Sequence, residues 1–399
     1  MQERTIKKYD DFILYVSHIS AGQAYVVASV TSSKAGTDDL AAEIYREISN
    51  VLKQHDLHIV QERIFGSLLV ASEVQTVRES ILSQNGLDAE TPVTFVQGQP
   101  CLGSGLAGVQ LRVFHPQLDS DKVWTIRDNH QPAGRAWNRL DNTFIMLQNM
   151  RGTPPSPFHL NGRYQQTEEM FNTAQRLLAS QGGCFNNVLR TWIYLTDILC
   201  WYGEFNQARN SRFKMFDLLR DPQQDNRTAE ETIYLPASTG IRGDNIYGAS
   251  GVMDVFAVVP GESTHVEVQH TSGVKQKSPF RYGSAFSRAM TLREPDVLHI
   301  LLSGTAAIDE QGTSLYSGDP RSQILKTFDI VEALISRHGA SMQNIGDATL
   351  FFKNPKDLDV YYKIAAENDL EDLAAIYVVA DICRDELLFE IDADIAVKA

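Results

Sequence analysis

One C-terminal segment, Ala380-Asp-Ile-Cys-Arg-Asp-Glu-Leu-Leu-Phe-Glu-Ile-Asp-Ala393, gathers side chains that could do chemistry, among them Cys383, Arg384 and Glu390. If Leu388 to Asp392 is a strand, alternation puts Leu388, Glu390 and Asp392 on one face and Phe389 and Ile391 on the other. A carboxyl group in a partly apolar cleft keeps its proton toward neutral pH, which is what a general acid requires. A solvated strand carboxylate fits the same spacing, and spacing alone favours that simpler reading. The other reactive types are scattered. Cys101, Cys184, Cys200 and Cys383 form no CxxC and no paired Cys/His spacing, so neither a zinc site nor a disulfide framework is signalled. His55, His58, His270, His299 and His338 share no motif.

The elements that must position Glu390 recur along the chain. Three stretches share the order amphipathic helix, polar or glycine turn, apolar strand. The helices are expected at Leu40 to Leu52, Glu168 to Leu178 and Gln323 to Ser336, and the strands at Ile59 to Val70, Val188 to Leu195 and Ile345 to Phe352. Further helices are expected near Val77 to Leu82 and from Gly203 to Leu219. The latter carries Arg209, Arg212 and Lys214, which read as a solvated or inter-repeat face. The closing pair of the third copy spans Ala375 to Ile382 and Leu387 to Ile395. Strands also open each copy, at Ala24 to Val30, Asn142 to Leu147 and Val297 to Leu302. The pattern predicts an α+β fold of three β-β-α-β-α-β-β units, at 1–118, 119–265 and 266–399. Helices cover one sheet face of each, and the other faces bury one another in a pseudo-threefold arrangement. The proline cluster Arg151 to Pro157 reads as an ordered insertion loop within the second unit.

The third unit resembles a known family. Gly283-Ser-Ala-Phe-Ser-Arg-Ala289, Leu302-Ser-Gly-Thr-Ala306 and Gly318-Asp-Pro-Arg-Ser-Gln323 are similar in order and spacing to signatures of the Rid (reactive intermediate deaminase) superfamily. Rid proteins are trimers of α+β subunits with ligand clefts between neighbours, which agrees with the internal repeat. The deaminases of that family hold the substrate carboxylate with an arginine in the penultimate strand. Alignment puts Tyr377 there in the third unit and Ser238 in the second, and neither replaces a guanidinium fork. The Ala380 to Ala393 segment, and Lys277 to Ala289 before it, resemble instead the chorismatases, a narrower branch of the superfamily.

The resemblance implies a hydrolase or lyase that removes pyruvate from the enolpyruvyl ether of chorismate or a related cyclic acid, with no cofactor. It makes Glu390 the acid that protonates the enol ether. Arg281, Arg288 and Arg384, with Lys275 and Lys277 nearby, become candidate partners of the substrate carboxylates. Tyr282 and Tyr377 become hydrogen-bonding candidates, and Gly304 a point of close backbone approach to a ligand, although packing or a strand bulge would explain them as well. A cysteine at position 383 resembles the hydroxybenzoate-forming type. Two other readings stay open: an imine or enamine hydrolase of the Rid type, and a non-catalytic small-molecule-binding protein. Composition narrows the partners. With 36 basic and 50 acidic residues among 399, a net charge of −14 leaves no broad cationic surface for nucleic acid. No signal-peptide h-region opens the sequence, and no apolar run approaches the roughly 20 residues of a membrane span. The expected setting is cytoplasmic, without nucleic-acid or membrane partners, the chain being a monomer with an internal pseudo-trimer and its ligand a small carboxylate.

Overall fold

The computed structural model describes residues 3–20, 22–32, 36–103, 105–155, 162–219, 235–263, 266–271 and 285–399. The chain builds three mixed sheets in succession. The first contains β1 (Arg4–Lys8), β2 (Phe12–Ser20), β3 (Gln23–Val30), β4 (His58–Gly66), β5 (Thr94–Gln97) and β7 (Leu106–Phe114), while the two-residue β6 (Gln99–Pro100) leaves to join the third sheet. The second contains β8 (Val123–Asp128), β9 (Gln131–Arg139), β10 (Asn142–Arg151), β11 (Val188–Leu195), β12 (Ala237–Arg242) and β13 (Gly251–Val259). The third contains β14 (Glu267–Thr271), β15 (Ala289–Arg293), β16 (Val297–Ala306), β17 (Ile345–Phe352), β18 (Ala375–Val379) and β19 (Phe389–Lys398). In each sheet the closing strand, β7, β13 or β19, lies centrally. The two strands beyond it, β4/β5, β11/β12 or β17/β18, run parallel.

Six helices cover one face of each sheet in pairs: α1 (Thr37–Gln54) and α2 (Ala71–Gln84), α3 (Arg163–Ser180) and α4 (Ile198–Met215), α5 (Pro320–Ile335) and α6 (Asp357–Glu367). Their apolar stripes do what the periodicity predicts. Leu40, Ile44, Ile48 and Leu52 of α1, at helical spacing, sit in one core with Val26, Ile64 and Val109 of the sheet beneath. Separate cores lie under α3/α4 and α5/α6. A fourth core joins the uncovered faces of all three sheets, with Val27 and Phe65 from the first, Trp137, Trp192 and Phe256 from the second, and Leu301, Phe351 and Ile376 from the third. The architecture is therefore three α+β units of one topology whose free faces bury one another within one chain.

Some boundaries differ from expectation. The strand expected to reach Val70 stops at Gly66, because Leu68–Val70 form a 3-10 turn whose entry Ser67 caps by accepting from Leu69 N at 3.3 Å. The last strand begins at Phe389 and runs to Lys398. Residues 156–161, which include part of the expected insertion loop, lie outside the described residues.

The units meet through buried polar pairs as well as apolar contact. Arg63 of the first unit lies 3.0 Å from Asp347 of the third, Arg112 of the first 2.7 Å from Asp394, and Arg190 of the second 3.3 Å from Asp392. Thr94 Oγ1 donates to Asp254 across the first junction (2.6 Å), and Thr239 Oγ1 to Asp392 across the second (2.8 Å). Breaking one such buried ion pair strands a charge at a cost of about 3–5 kcal/mol. The third unit's row of inward carboxylates thus depends on arginines from both neighbours.

Candidate active site

A cleft of about 180 Å³ opens where the second unit meets the third. The second unit contributes Tyr202, Asn206 and Arg209 from α4 and Ser238 and Gly240 from β12. The third contributes Phe286 and Arg288 ahead of β15, Gly304 and Ala306 of β16 with Ile308 just beyond it, Cys383 and Arg384 in the turn before β19, and Glu390 on β19. Strand alternation explains the last placement: Phe389 and Ile391 pack into the core under α5 and α6, which turns Glu390 and Asp392 toward the neighbouring unit.

Glu390 is 5% exposed, and its carboxyl is pushed up to about 8, first by burial and then by Asp392, against the opposing pull of Arg288 and Arg190. An acid in that range retains its proton at neutral pH and can give it up. Gly304 gives this carboxyl its room. The β16–β19 register shifts between Leu302 and Thr305, and a Cβ on Gly304 would collide with Glu390 Oε1 and stand 3.1 Å from its carboxyl carbon. The bulge and the close approach are one feature, and what approaches Gly304 here is the acid itself. The loop before β19 is pinned by Gln323: its Nε2 donates to Glu386 O (2.9 Å), and its Oε1 accepts from Leu388 N (2.8 Å). The glutamine of the Gly318 to Gln323 motif therefore fixes the approach to Glu390, while Asp319 caps α5.

Two arginines, both nearly buried, line the cleft from opposite units. The guanidinium carbons of Arg209 and Arg288 lie 5.8 and 5.6 Å from the centroid of Phe286, and Arg209 donates to Asn206 Oδ1 at 2.6 Å. Such a pair can grip a planar carboxylate. Arg384 does not simply pair with its acidic neighbours: its Nη1 donates to Gly312 O (2.7 Å) and lies 3.2 Å from Ser314 Oγ, tying two loops at the cleft wall. The Cys383 thiol is pushed up to about 12 by burial and by Glu390, so it faces the cleft uncharged and shapes it.

The structure thus brings together Glu390, Cys383, Arg288, Gly304 and Arg384. Arg281 and Tyr282, with Lys275 and Lys277, lie outside the described residues. Tyr377 requires correction as a ligand contact. It points under α6, its ring 5.4 Å from that of Tyr361 and 5.9 Å from that of Tyr362, in the core beneath the helices. Register shows why the alignment misled. Ser238 pairs with Thr191 and Ala375 with Ala348 at matching positions of β11 and β17, so the position of the missing deaminase arginine is Ala375. Tyr377 matches Gly240, two residues on. Ser238 does line the cleft.

Of the two faces open to Arg209, solvated or inter-repeat, the structure has the second: it is 2% exposed and lines the cleft between the second and third units. Its spacing to Phe205 on one helix was visible, but Phe286 on its other side lies 77 residues downstream. Among the described residues, no cluster of His, Cys, Asp and Glu has the geometry of a metal site, and no helix is long and apolar enough to cross a membrane.

Residues 284–397 match the family model described as Endoribonuclease L-PSP, the Rid family. The matching stretch is the unit that carries Glu390. The chain is also 26% identical over 257 residues to a 3-hydroxybenzoate synthase of Streptomyces hygroscopicus, covering 58% of this chain and 69% of the relative. A chorismatase crystal structure shares the fold at a TM-score of 0.58 and 17% identity, covering 85% of this chain and 93% of that one. The chain is thus similar to the Rid family over its third unit and to a chorismatase in fold.

Proposed function

We propose that the cleft removes pyruvate from the enolpyruvyl ether of chorismate or a closely related cyclic acid. The observation that carries this reading is Glu390: a buried carboxyl with its proton held to about pH 8, facing a cleft edged by Arg209 and Arg288. Glu390 gives its proton to the terminal methylene of the enol ether, which becomes a methyl group as positive charge develops on the adjacent carbon and oxygen. Water or a ring hydroxyl adds to that carbon and gives up a proton to the Glu390 carboxylate. With water, the hemiketal proton passes to the ring ether oxygen as its bond to the former enol carbon breaks, leaving pyruvate and a dihydroxycyclohexadiene carboxylate. With the ring hydroxyl, the cyclic ketal opens at the ether oxygen, which takes up a proton, the attacking oxygen then leaves its ring carbon as the carbonyl oxygen of pyruvate, and loss of a proton from the neighbouring ring carbon leaves a hydroxybenzoate. Arg209 and Arg288 hold the carboxylates of the substrate, and burial of the site keeps bulk water from competing for the proton. The named relatives, a chorismatase and a 3-hydroxybenzoate synthase, support this substrate class, and the second supports a hydroxybenzoate as the co-product. Cys383, beside Glu390, is the residue through which we expect the co-product to be selected. Serine in place of the deaminase arginine at position 238 weighs against imine hydrolysis.

The test is to incubate chorismate with wild-type protein and with Glu390→Gln and to follow pyruvate and the ring acid by mass spectrometry. Wild type is expected to release both, and the variant to be slower by at least about 100-fold, with ligand-induced thermal stabilisation retained. A folded wild-type protein that leaves chorismate intact would overturn the reading. Cys383→Ala is expected to change the ratio of ring products more than the rate.

A further inference from the structure

Asp392 follows Glu390 by two residues, about 6.6 Å along the strand and on the same face. It is 2% exposed, and both groups that hold it come from the second unit: Thr239 Oγ1 donates to Oδ2 at 2.8 Å, and Arg190 Nη2 lies 3.3 Å from the same oxygen. Arg190 in turn donates to Thr239 Oγ1 at 2.6 Å and stacks over Trp192, its guanidinium carbon 4.8 Å from the ring centroid. The carboxylate is thus fixed from outside its own unit, beside the proposed acid.

We propose that Asp392 is a positioning residue for Glu390: Thr239 and Arg190 of the second unit lock its carboxylate on the acid's own strand face, from where it acts on the proton that Glu390 gives to substrate. The inference rests on Glu390 being the acid of the proposed reaction and explains why a second unit without its own acid is needed. Among the described residues, the titratable groups around Glu390 are Asp392 on its own strand, Arg190 from β11, Arg288 ahead of β15, Cys383 and Arg384 in the preceding turn, and Tyr202 and Arg209 from α4. Asp392 is the carboxylate among them, so its replacement by Asn leaves Arg190 and Arg288 as the charges acting on Glu390, and both favour its ionisation.

The fold supplies an internal control. Asp254 occupies the matching position of β13 and takes the same kind of hydrogen bond, from Thr94, but Val252 stands where Glu390 would be. If these aspartates only dock units, Asp254→Asn and Asp392→Asn should act alike.

The experiment titrates Glu390 in the full chain by the infrared band of its protonated carboxyl, assigned as the band lost in Glu390→Gln, and in parallel records the pH profile of kcat on chorismate. Asp392→Asn is expected to move the Glu390 midpoint and the alkaline limb of kcat down by about one pH unit, with the rate near pH 6 much less affected. Thr239→Val, a milder change, is expected to shift both the same way by less, and Asp254→Asn to shift neither. A Glu390 midpoint unchanged in Asp392→Asn overturns the proposal; should that variant not fold, an unchanged midpoint in Thr239→Val does so. A band that shifts in protein inert toward chorismate sustains the positioning role and sinks the substrate instead.

Discussion

The three junctions between units share one register plan, and among the described residues Glu390 stands at the junction of the second and third. Register irregularities at Ile59/Gln61, Val188/Arg190 and Ile345/Asp347 align the units, and Phe65, Tyr194 and Phe351 then pair with Gly108, Val252 and Glu390. The strands facing these positions across the junctions differ in a matched way. Phe95, Gly240 and Tyr377 occupy one register position in β5, β12 and β18. At the junction of the first and second units, Phe95 and Val252 are both buried apolar residues. There the bulge that holds Gly304 elsewhere holds Asn149, whose side chain donates across to Val93 O at 2.6 Å. At the junction of the third and first units, Ile376 packs on Gly108, where an added Cβ would come within 2.9 Å of two of its side-chain atoms, while Tyr377 turns under α6 beside Tyr361. Between the second and third units the filling residue is Gly240, the bulge residue is Gly304, and the strand supplies Glu390. A site in this fold thus needs two glycines as much as one glutamate.

The largest expected effect comes from making the open junction like a closed one. A Cβ on Gly240 would meet nothing nearer than Tyr202 at 3.5 Å, so Gly240→Tyr, copying Tyr377, should fold. It should abolish both turnover and ligand-induced stabilisation, read by assay and thermal melt; retained binding would show that the cleft is not where the ligand sits. Gly304→Ala leaves the cleft open but displaces the carboxyl. It should lower kcat by about 10- to 100-fold with little change in KM.

A smaller effect separates the acid's chemistry from its cost to the fold. Because the folded protein holds the Glu390 proton to about pH 8, well above the usual carboxylate range, it binds more protons than the unfolded chain between those limits. Stability from this group is therefore complete at low pH and lost as pH rises toward 8. Glu390→Gln removes the titration, so its melting temperature relative to wild type should climb between about pH 5 and pH 8 and then level off. A constant difference would mean that the Glu390 carboxyl ionises in its ordinary range. Smallest of all, Tyr377→Phe should leave kcat/KM unchanged within about twofold, since its ring packs beneath α6 and does not line the cleft, so a lost hydroxyl there is a stability matter.

Local pattern made much of this legible. The helix stripes, the apolar strands and the threefold recurrence were visible because a half-covered sheet and its helices leave periods of two and 3.6 residues in the sequence. Glu390 and its facing direction followed from alternation along β19, and Gly304, Arg288 and Cys383 from motif. The second unit's share of the site was not legible. Arg209 reads as an ordinary helix charge until Phe286 of another unit packs near it, and Gly240 reads as a strand glycine until the space beside it proves to be the cleft.

Sequence by itself determined the units, their helix-covered faces and the presence of a carboxylate on an inward strand position, since these depend on neighbours a few residues away. Tertiary structure alone decided which junction stays open, that Tyr377 packs beneath α6 instead of touching a ligand, and that Glu390 keeps its proton. Those outcomes depend on desolvation and on charges such as Arg190, brought beside Glu390 from 200 residues away by the packing of one unit on the next.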